Sequence, residues 1–148
     1  MKYVPLPPVL FYLFVGLMIV ARWLSIFIVP FPSFWVWIGG VLIVLGVLTA
    51  FWGSSVFKQH ETNIKTFNDP NVLVTTWPFR FTRNPMYIGM IAGLAGVAFV
   101  TSSVVGIVLL IVFSLITALV YIPYEEERME QVFGTQFQDY SQRVRRWL

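Results

Sequence analysis

The sequence predicts an all-α integral membrane protein, with about four transmembrane helices in two hairpins followed by a C-terminal amphipathic cytoplasmic helix. Three observations predict it. Of 148 residues, 57% are hydrophobic and only 11% charged, with a mean hydropathy of +0.76, whereas charged residues make up about a quarter of soluble chains. Apolar stretches recur at close to the roughly 20 residues that cross a bilayer. The two short turns between these stretches carry no Lys or Arg, the asymmetry that orients membrane helices. The length suits a single membrane domain, 1–148.

Taken in order, Lys2 precedes an apolar run with no small-residue cleavage site, so the first span, about 9–29, reads as retained and not as a removed signal. Pro30, Pro32 and Ser33 break that run before a second span at about 34–57, making a tight hairpin. A single helix over 86–122 would be about 55 Å long against a hydrocarbon core of about 30 Å, so it folds back. Thr101-Ser102-Ser103 is the natural turn, giving spans at about 86–100 and 104–122. Lys2, the loop 58–85 with Lys58, Lys65, Arg80 and Arg83, and the tail 125–148 with Arg128, Arg143, Arg145 and Arg146 carry the basic residues. Both termini and the long loop are therefore expected in the cytoplasm. Arg22 lies deep in the first predicted span and must snorkel or pair, structurally or functionally.

In the tail, Met129, Phe133, Phe137, Tyr140, Val144 and Trp147 recur at three- and four-residue spacing, an apolar stripe that packs on the bundle or the lipid surface. Gly134-Thr135 interrupts it, with Thr135 as a fresh N-cap. Arg143, Arg145, Arg146 and Trp147 have the makeup of an interfacial anchor to membrane lipids. Gly39-Gly40, Gly46, Gly89, Gly93 and Gly96 allow close helix approach, within one chain or between chains, and within one chain is the preferred reading.

The absence of Cys excludes disulfides, thiolate nucleophiles and Cys-ligated zinc, and a single His offers no metal cluster. A net charge of +3 beside apolar spans points to the membrane surface and not to nucleic acid.

Two polar clusters bracket the second hairpin. Asn84-Pro85 is a helix-start signal, Asn as N-cap and Pro at the first helical position. That helix end, with Arg80 and Arg83 beside it, either attracts an anion or is a capped helix flanked by positive-inside arginines. Tyr87 one turn later is a site residue or an interfacial aromatic. Across the hairpin, Glu125-Glu126-Glu127 opposes a helix C-terminus and a negative leaflet, so something positive should compensate. Alternatively Pro123 ends one helix and starts another, putting these acids in a favourable first turn. Either way a ligand carrying both a cation and an anion, with hydroxyls and an aromatic base, suits the pairing.

Leu73-Val74-Thr75, Pro78-Phe79 and Arg83-Asn84-Pro85-Met86-Tyr87-Ile88-Gly89, followed by Glu125-Glu126, Met129, Phe133-Gly134, Phe137, Tyr140, Val144 and Arg146-Trp147, resemble the isoprenylcysteine carboxyl methyltransferase and phospholipid methyltransferase superfamily. The resemblance covers about residues 72–148. It implies an integral membrane enzyme that binds S-adenosylmethionine over the last hairpin, under the C-terminal segment, and takes a lipophilic acceptor from the bilayer. Arg83, Asn84, Pro85, Tyr87 and Gly89 match the family's cofactor motif and Glu125 and Glu126 its paired acids. By their chemistry, the start of the third helix would hold the methionine carboxylate, the acids its ammonium or the ribose hydroxyls, and Tyr87 would supply wall and hydrogen bond. Glu127 is a helper at best, and Glu130 belongs to the surface.

Trp77 stands where the family usually has Gly, and Ile122-Pro123-Tyr124 where isoprenylcysteine enzymes carry a basic residue, which removes support for a prenylated peptide carboxylate. Asn84 stands where some relatives have a His, and an amide cannot titrate, so that position is not a required base. Displacement at a sulfonium needs alignment in a dry site, and an amine or phenol acceptor must first lose a proton, for which Glu126 and Tyr87 are candidates. His60 reads as a solvated loop residue in preference to a role in a lid or in proton transfer. The alternative to an enzyme is a non-enzymatic small membrane subunit of a larger complex; a transporter is disfavoured because Arg22 alone is ionisable deep in a span.

Overall fold

A computed structural model describes residues 5–29, 31–59 and 71–148. Lys2, Pro30, His60, Glu61 and Lys65 lie outside them. Six α-helices follow in chain order: α1 (Pro7–Trp23), α2 (Phe34–Gln59), α3 (Pro85–Thr101), α4 (Val104–Ile116), α5 (Ile122–Phe133) and α6 (Thr135–Arg143). Among the described residues no strand forms, and a lone bridge joins Ile28 to Ser103. Among the described residues two uninterrupted helices are long and apolar enough to cross a membrane, Phe34–Gln59 and Val104–Phe133. Only 11% of the most apolar window of the first is buried. A soluble core helix would be covered; this one presents Trp37, Val44, Leu48 and Phe51 outward. At 17 residues each, α1 and α3 sit at the short limit for a crossing.

Small residues fix how α2 and α3 meet. Gly39, Gly46 and Gly53 are the buried positions in the apolar body of α2, one every two turns, and they face α3 in antiparallel register. A Cβ on Gly46 would lie 2.5 Å from the Gly89 carbonyl oxygen and 2.6 Å from the Gly93 nitrogen. A Cβ on Gly96 would lie 2.5 Å from the Gly39 carbonyl oxygen. The close approach expected of these glycines is thus made inside one chain, by backbones that touch. Gly40 takes no part: nothing lies within 4 Å of its Cβ direction.

The first hairpin differs from expectation. With its glycine face committed to α3, α2 is no close neighbour of α1, which packs on α3 and α4 instead. Leu10, Phe14 and Met18 join Leu94, Phe113 and Tyr121 in the core. Between α1 and α2 a cleft of about 470 Å³ remains, floored by Gly89, Met90, Gly93 and Val97 of α3.

The first helix also ends early, at Trp23 and not near 29. Residues 24–29 leave the helix because the α3–α4 turn satisfies their backbone: Val29 N–H donates to Ser102 O at 2.8 Å, Val104 N–H to Phe27 O at 3.0 Å and Ser103 Oγ to Ile26 O at 3.1 Å. Ser25 and Phe27 take positive φ there. Arg22 consequently sits in the last turn of α1, exposed, where a cation complements the helix dipole. Thr101–Ser103 makes the expected turn, with Ser102 in the left-handed region at φ 47°.

Pro123 does not end the fourth helix. A π-helical turn, Thr117–Tyr121, joins α4 to α5 without a break, and Ile122 N–H reaches back to Thr117 O. The wide turn falls just ahead of Pro123, whose ring collides with the carbonyl four residues earlier in a regular α-helix. Gly134, at φ 52° and ψ −124°, ends α5, and it, not Thr135, caps α6. The apolar stripe of the tail turns to the bundle: Phe137 and Tyr140 are buried, and Trp147 packs on the core. Tyr121 Oη donates to Pro5 O at 2.6 Å, so the starts of α1 and α3 and the whole tail share one end of the bundle.

Candidate active site

At that end, residues 78–81 turn into α3 against the close of α2, with Phe57 edge-on to Phe79 at 4.9 Å between ring centroids. Trp77, the residue without the family's glycine, stacks on Trp52 at 5.2 Å and meets Phe81 at 4.2 Å, covering the turn with aromatic surface. Asn84 precedes Pro85 at the N-cap position as the sequence predicts, but its side chain makes no cap bond. Its Nδ2 donates instead to Arg146 O at 2.9 Å, while its own backbone N–H donates to Thr82 Oγ1 at 3.2 Å.

Those bonds belong to a seam between the start of α3 and the last residues of the chain. Arg83 N–H donates to Arg145 O at 3.0 Å, Thr82 Oγ1 to Arg146 O at 3.2 Å, and Arg83 Nη1 to Ser141 O at 3.0 Å. Tyr140 Oη donates to Phe79 O at 2.7 Å. Burial pushes the Tyr140 phenol up to about 12, the charge on Arg83 pulling it partly back. Residues 141–147 thereby form a strap across the N-terminus of α3.

Beneath the strap the two polar clusters meet. Arg83 Nη2 lies 2.8 Å from Glu126 Oε1, and Arg146 takes the same carboxylate with Nη2 at 2.5 Å from Oε2 and Nε at 3.1 Å from Oε1. The side chains of Arg83, Glu126 and Arg146 are 13%, 20% and 42% exposed, so the inner pair is shielded and the outer one is wet. Tyr87 Oη donates to Glu125 Oε1 at 2.8 Å, while its ring stacks on Tyr121 within the core. A cavity of about 80 Å³ remains among Arg83, Tyr87, Glu125, Glu126, Met129 and Phe137. Arg83 Nε is buried beside it with no hydrogen-bond partner among the described residues, a donor awaiting an acceptor.

The sequence profile of the phospholipid methyltransferase family matches residues 34–136. The chain belongs to that family. No curated protein and no solved structure matches it. The phospholipid methyltransferase match runs from the head of α2 to the first residues of α6, so it contains the glycine interface, Arg83 and both acids, and it stops short of the strap.

Of the residues singled out from sequence, Arg83, Asn84, Pro85, Tyr87, Glu125 and Glu126 line one cavity. Gly89 does not join them. It lies against α2, where a Cβ would come within 2.6 Å of Gly46 O, and it floors the α1–α2 cleft. Glu127 and Glu130 are exposed, bonded to Gln131 and Gln138. The sequence reading missed Arg146 as a site residue, assigning it to a lipid anchor; Thr82 and Ser141 were not singled out at all. The signal that could have found Arg146 was the demand for a cation near the glutamates.

The residues fit the zwitterionic head of S-adenosylmethionine: an unsatisfied guanidinium N–H at a helix N-terminus suits a carboxylate, and paired carboxylates suit an ammonium. Volume sets a condition. Pockets that enclose ligands of such size hold roughly 300–1,000 Å³, so an 80 Å³ cavity takes one only when the strap or its side chains move aside.

Proposed function

We propose that this protein is an integral membrane methyltransferase that transfers a methyl group from S-adenosylmethionine to a lipophilic acceptor, with the strap-covered end of the bundle in the cytoplasm. The observation that carries this reading is the convergence of Arg83, Tyr87, Glu125 and Glu126 on one cavity with the Arg83 Nε donor left unsatisfied, in a chain of the phospholipid methyltransferase family. S-adenosylmethionine, when bound, supplies an electrophilic methyl group on a sulfonium.

The protein's own residues do the rest. Arg83 and the start of α3 hold the carboxylate, and Glu126 takes the ammonium. Met129, Phe137 and Phe79 give the cavity apolar walls that exclude water, which favours displacement by a poorly solvated nucleophile. Glu126, both of whose oxygens accept guanidinium N–H groups, is a binding group and no proton acceptor. Where the acceptor is an amine or phenol, the Tyr87–Glu125 pair at 2.8 Å is the place for its proton. The α1–α2 cleft opens between exposed apolar faces and ends at Gly89, two residues along α3 from Tyr87; it is the path by which an amphiphile comes from the bilayer.

Calorimetric titration of the detergent-purified protein with S-adenosylmethionine and with its demethylated product tests the reading. Micromolar binding is expected, weakened by Glu126→Gln and by Tyr87→Ala. Absence of binding in a folded sample would reject it.

A further inference from the structure

Glu126 is already occupied. Its two oxygens accept three guanidinium N–H groups, one from Arg83 and two from Arg146, which fills three of the carboxylate's four lone-pair positions, so the ammonium group of a ligand takes more than the one left on Oε2 only by displacing a guanidinium. The two arginines differ in how firmly they are held. Arg83 is shielded, spans from Glu126 to Ser141 O, and lies 5.9 Å over the Phe137 ring. Arg146 is 42% exposed, and its guanidinium bonds no group but Glu126 among the described residues.

The strap does not need that guanidinium in order to dock. The bonds that residues 82–84 make to the strap all use strap carbonyls, Arg145 O, Arg146 O and Ser141 O, and Tyr140 Oη adds one to Phe79 O. The Arg146 side chain therefore has a role separable from the strap's backbone. Exchanging it for another cation leaves the charge at the site unchanged, whereas displacing it with a ligand that brings a carboxylate to Arg83 and no cation leaves one negative charge uncompensated.

We propose that Arg146 is a specificity-determining residue: it holds on Glu126 the place that the ligand's α-ammonium takes, so only a ligand that brings its own cation displaces it. The inference rests on the methyltransferase reading above. It makes the site selective for an intact α-amino-acid head, the carboxylate going to the orphaned Nε of Arg83 and the ammonium replacing Arg146.

The test is calorimetric binding of S-adenosylmethionine, and of its analogue lacking the α-amino group, to the wild type, Arg146→Gln and Arg146→Lys, each first verified as folded by circular dichroism. An exposed ion pair is a weak competitor, so Arg146→Gln is expected to bind S-adenosylmethionine on the order of two- to fivefold more tightly than the wild type. Arg146→Lys, which keeps the charge without the bidentate fork, should fall between them. The desamino analogue should bind more weakly, with no gain from Arg146→Gln. Equal or weaker binding of S-adenosylmethionine by Arg146→Gln would show that Arg146 merely orients Glu126 and would overturn the proposal, as would a lysine variant as tight as the glutamine one. If the folded wild type binds no S-adenosylmethionine, it is the methyltransferase reading that fails, and this inference with it.

Discussion

The α2–α3 interface and the strap–α3 seam both attach a segment to the same helix, by opposite means. Along the first, backbones touch at Gly46, Gly89 and Gly96, and no charge is present. Along the second, contact is made by a few directional bonds to strap carbonyls and one shared carboxylate. Dispersion over a long glycine seam cannot be released in parts, because each approach depends on the next. Hydrogen bonds at an exposed chain end are individually worth about 1 kcal/mol and open one by one. The scaffold and the moving part are thus distinguished by the kind of contact, and substitutions should separate them.

The largest effect belongs to the scaffold. Gly46→Leu drives a side chain into the Gly89 carbonyl and the Gly93 nitrogen, where backbone must yield, and a loss of about 3 kcal/mol or more is expected. Thermal unfolding and monodispersity in detergent would measure it. Gly40→Leu, with open space around it, should leave both unchanged.

Next comes Tyr140, which anchors the seam from the tail through a buried hydroxyl. Tyr140→Phe leaves Phe79 O without its donor, at about 1–3 kcal/mol. The same residue gives the fold an alkaline limit. With a folded pKa of about 12 against an ordinary 10.0, the folded protein holds the proton longer than the unfolded chain. Its contribution is intact below pH 10 and is lost as pH rises toward 12. Unfolding of the wild type, but not of Tyr140→Phe, should show that slope.

Asn84→Ala removes one bond to Arg146 O. About 1 kcal/mol is expected, confined to the strap: trypsin should cut faster at Arg143 and Arg145 while the global transition barely moves. Glu130→Gln, on the exposed face beside Gln138, should change stability by less than about 0.5 kcal/mol.

Features written in neighbouring residues were legible in the sequence. Asn84-Pro85 starts α3 and Thr101-Ser103 ends it, because capping and turn preferences act over a few residues. The tail stripe was legible for the same reason. What escaped depends on partners far along the chain. Residues 24–29 are apolar enough to continue a helix, and only the turn 77 residues later, by Ser103 Oγ to Ile26 O and its neighbours, draws them out of it. The glycine pattern announced close packing without naming which helices would use it, and α1 was consequently paired with α2. At the site, residue types pointed to a charged cluster, but Arg146 and Glu126 stand 20 positions apart across Gly134. Asn84 stands at the cap position that the sequence predicts but makes no cap bond, since the position is set locally and its side chain's bond to Arg146 O is not.

The π turn at Thr117–Tyr121 acts as a phase adjuster. Each residue of an α-helix advances the azimuth by about 100°, and a π turn accommodates one more residue than an α turn over the same rise. Phe113 before it and Thr117 and Tyr121 at its two ends face the core, yet beyond it Glu125 and Glu126 point at Tyr87 and Arg83. Deleting a single residue from this turn would straighten the helix and rotate both acids by about 100° around its axis, away from α3. The cavity's chemistry is therefore indexed by residue count as well as by residue type: an insertion or deletion between 117 and 121 would disarm the site with every named side chain still present.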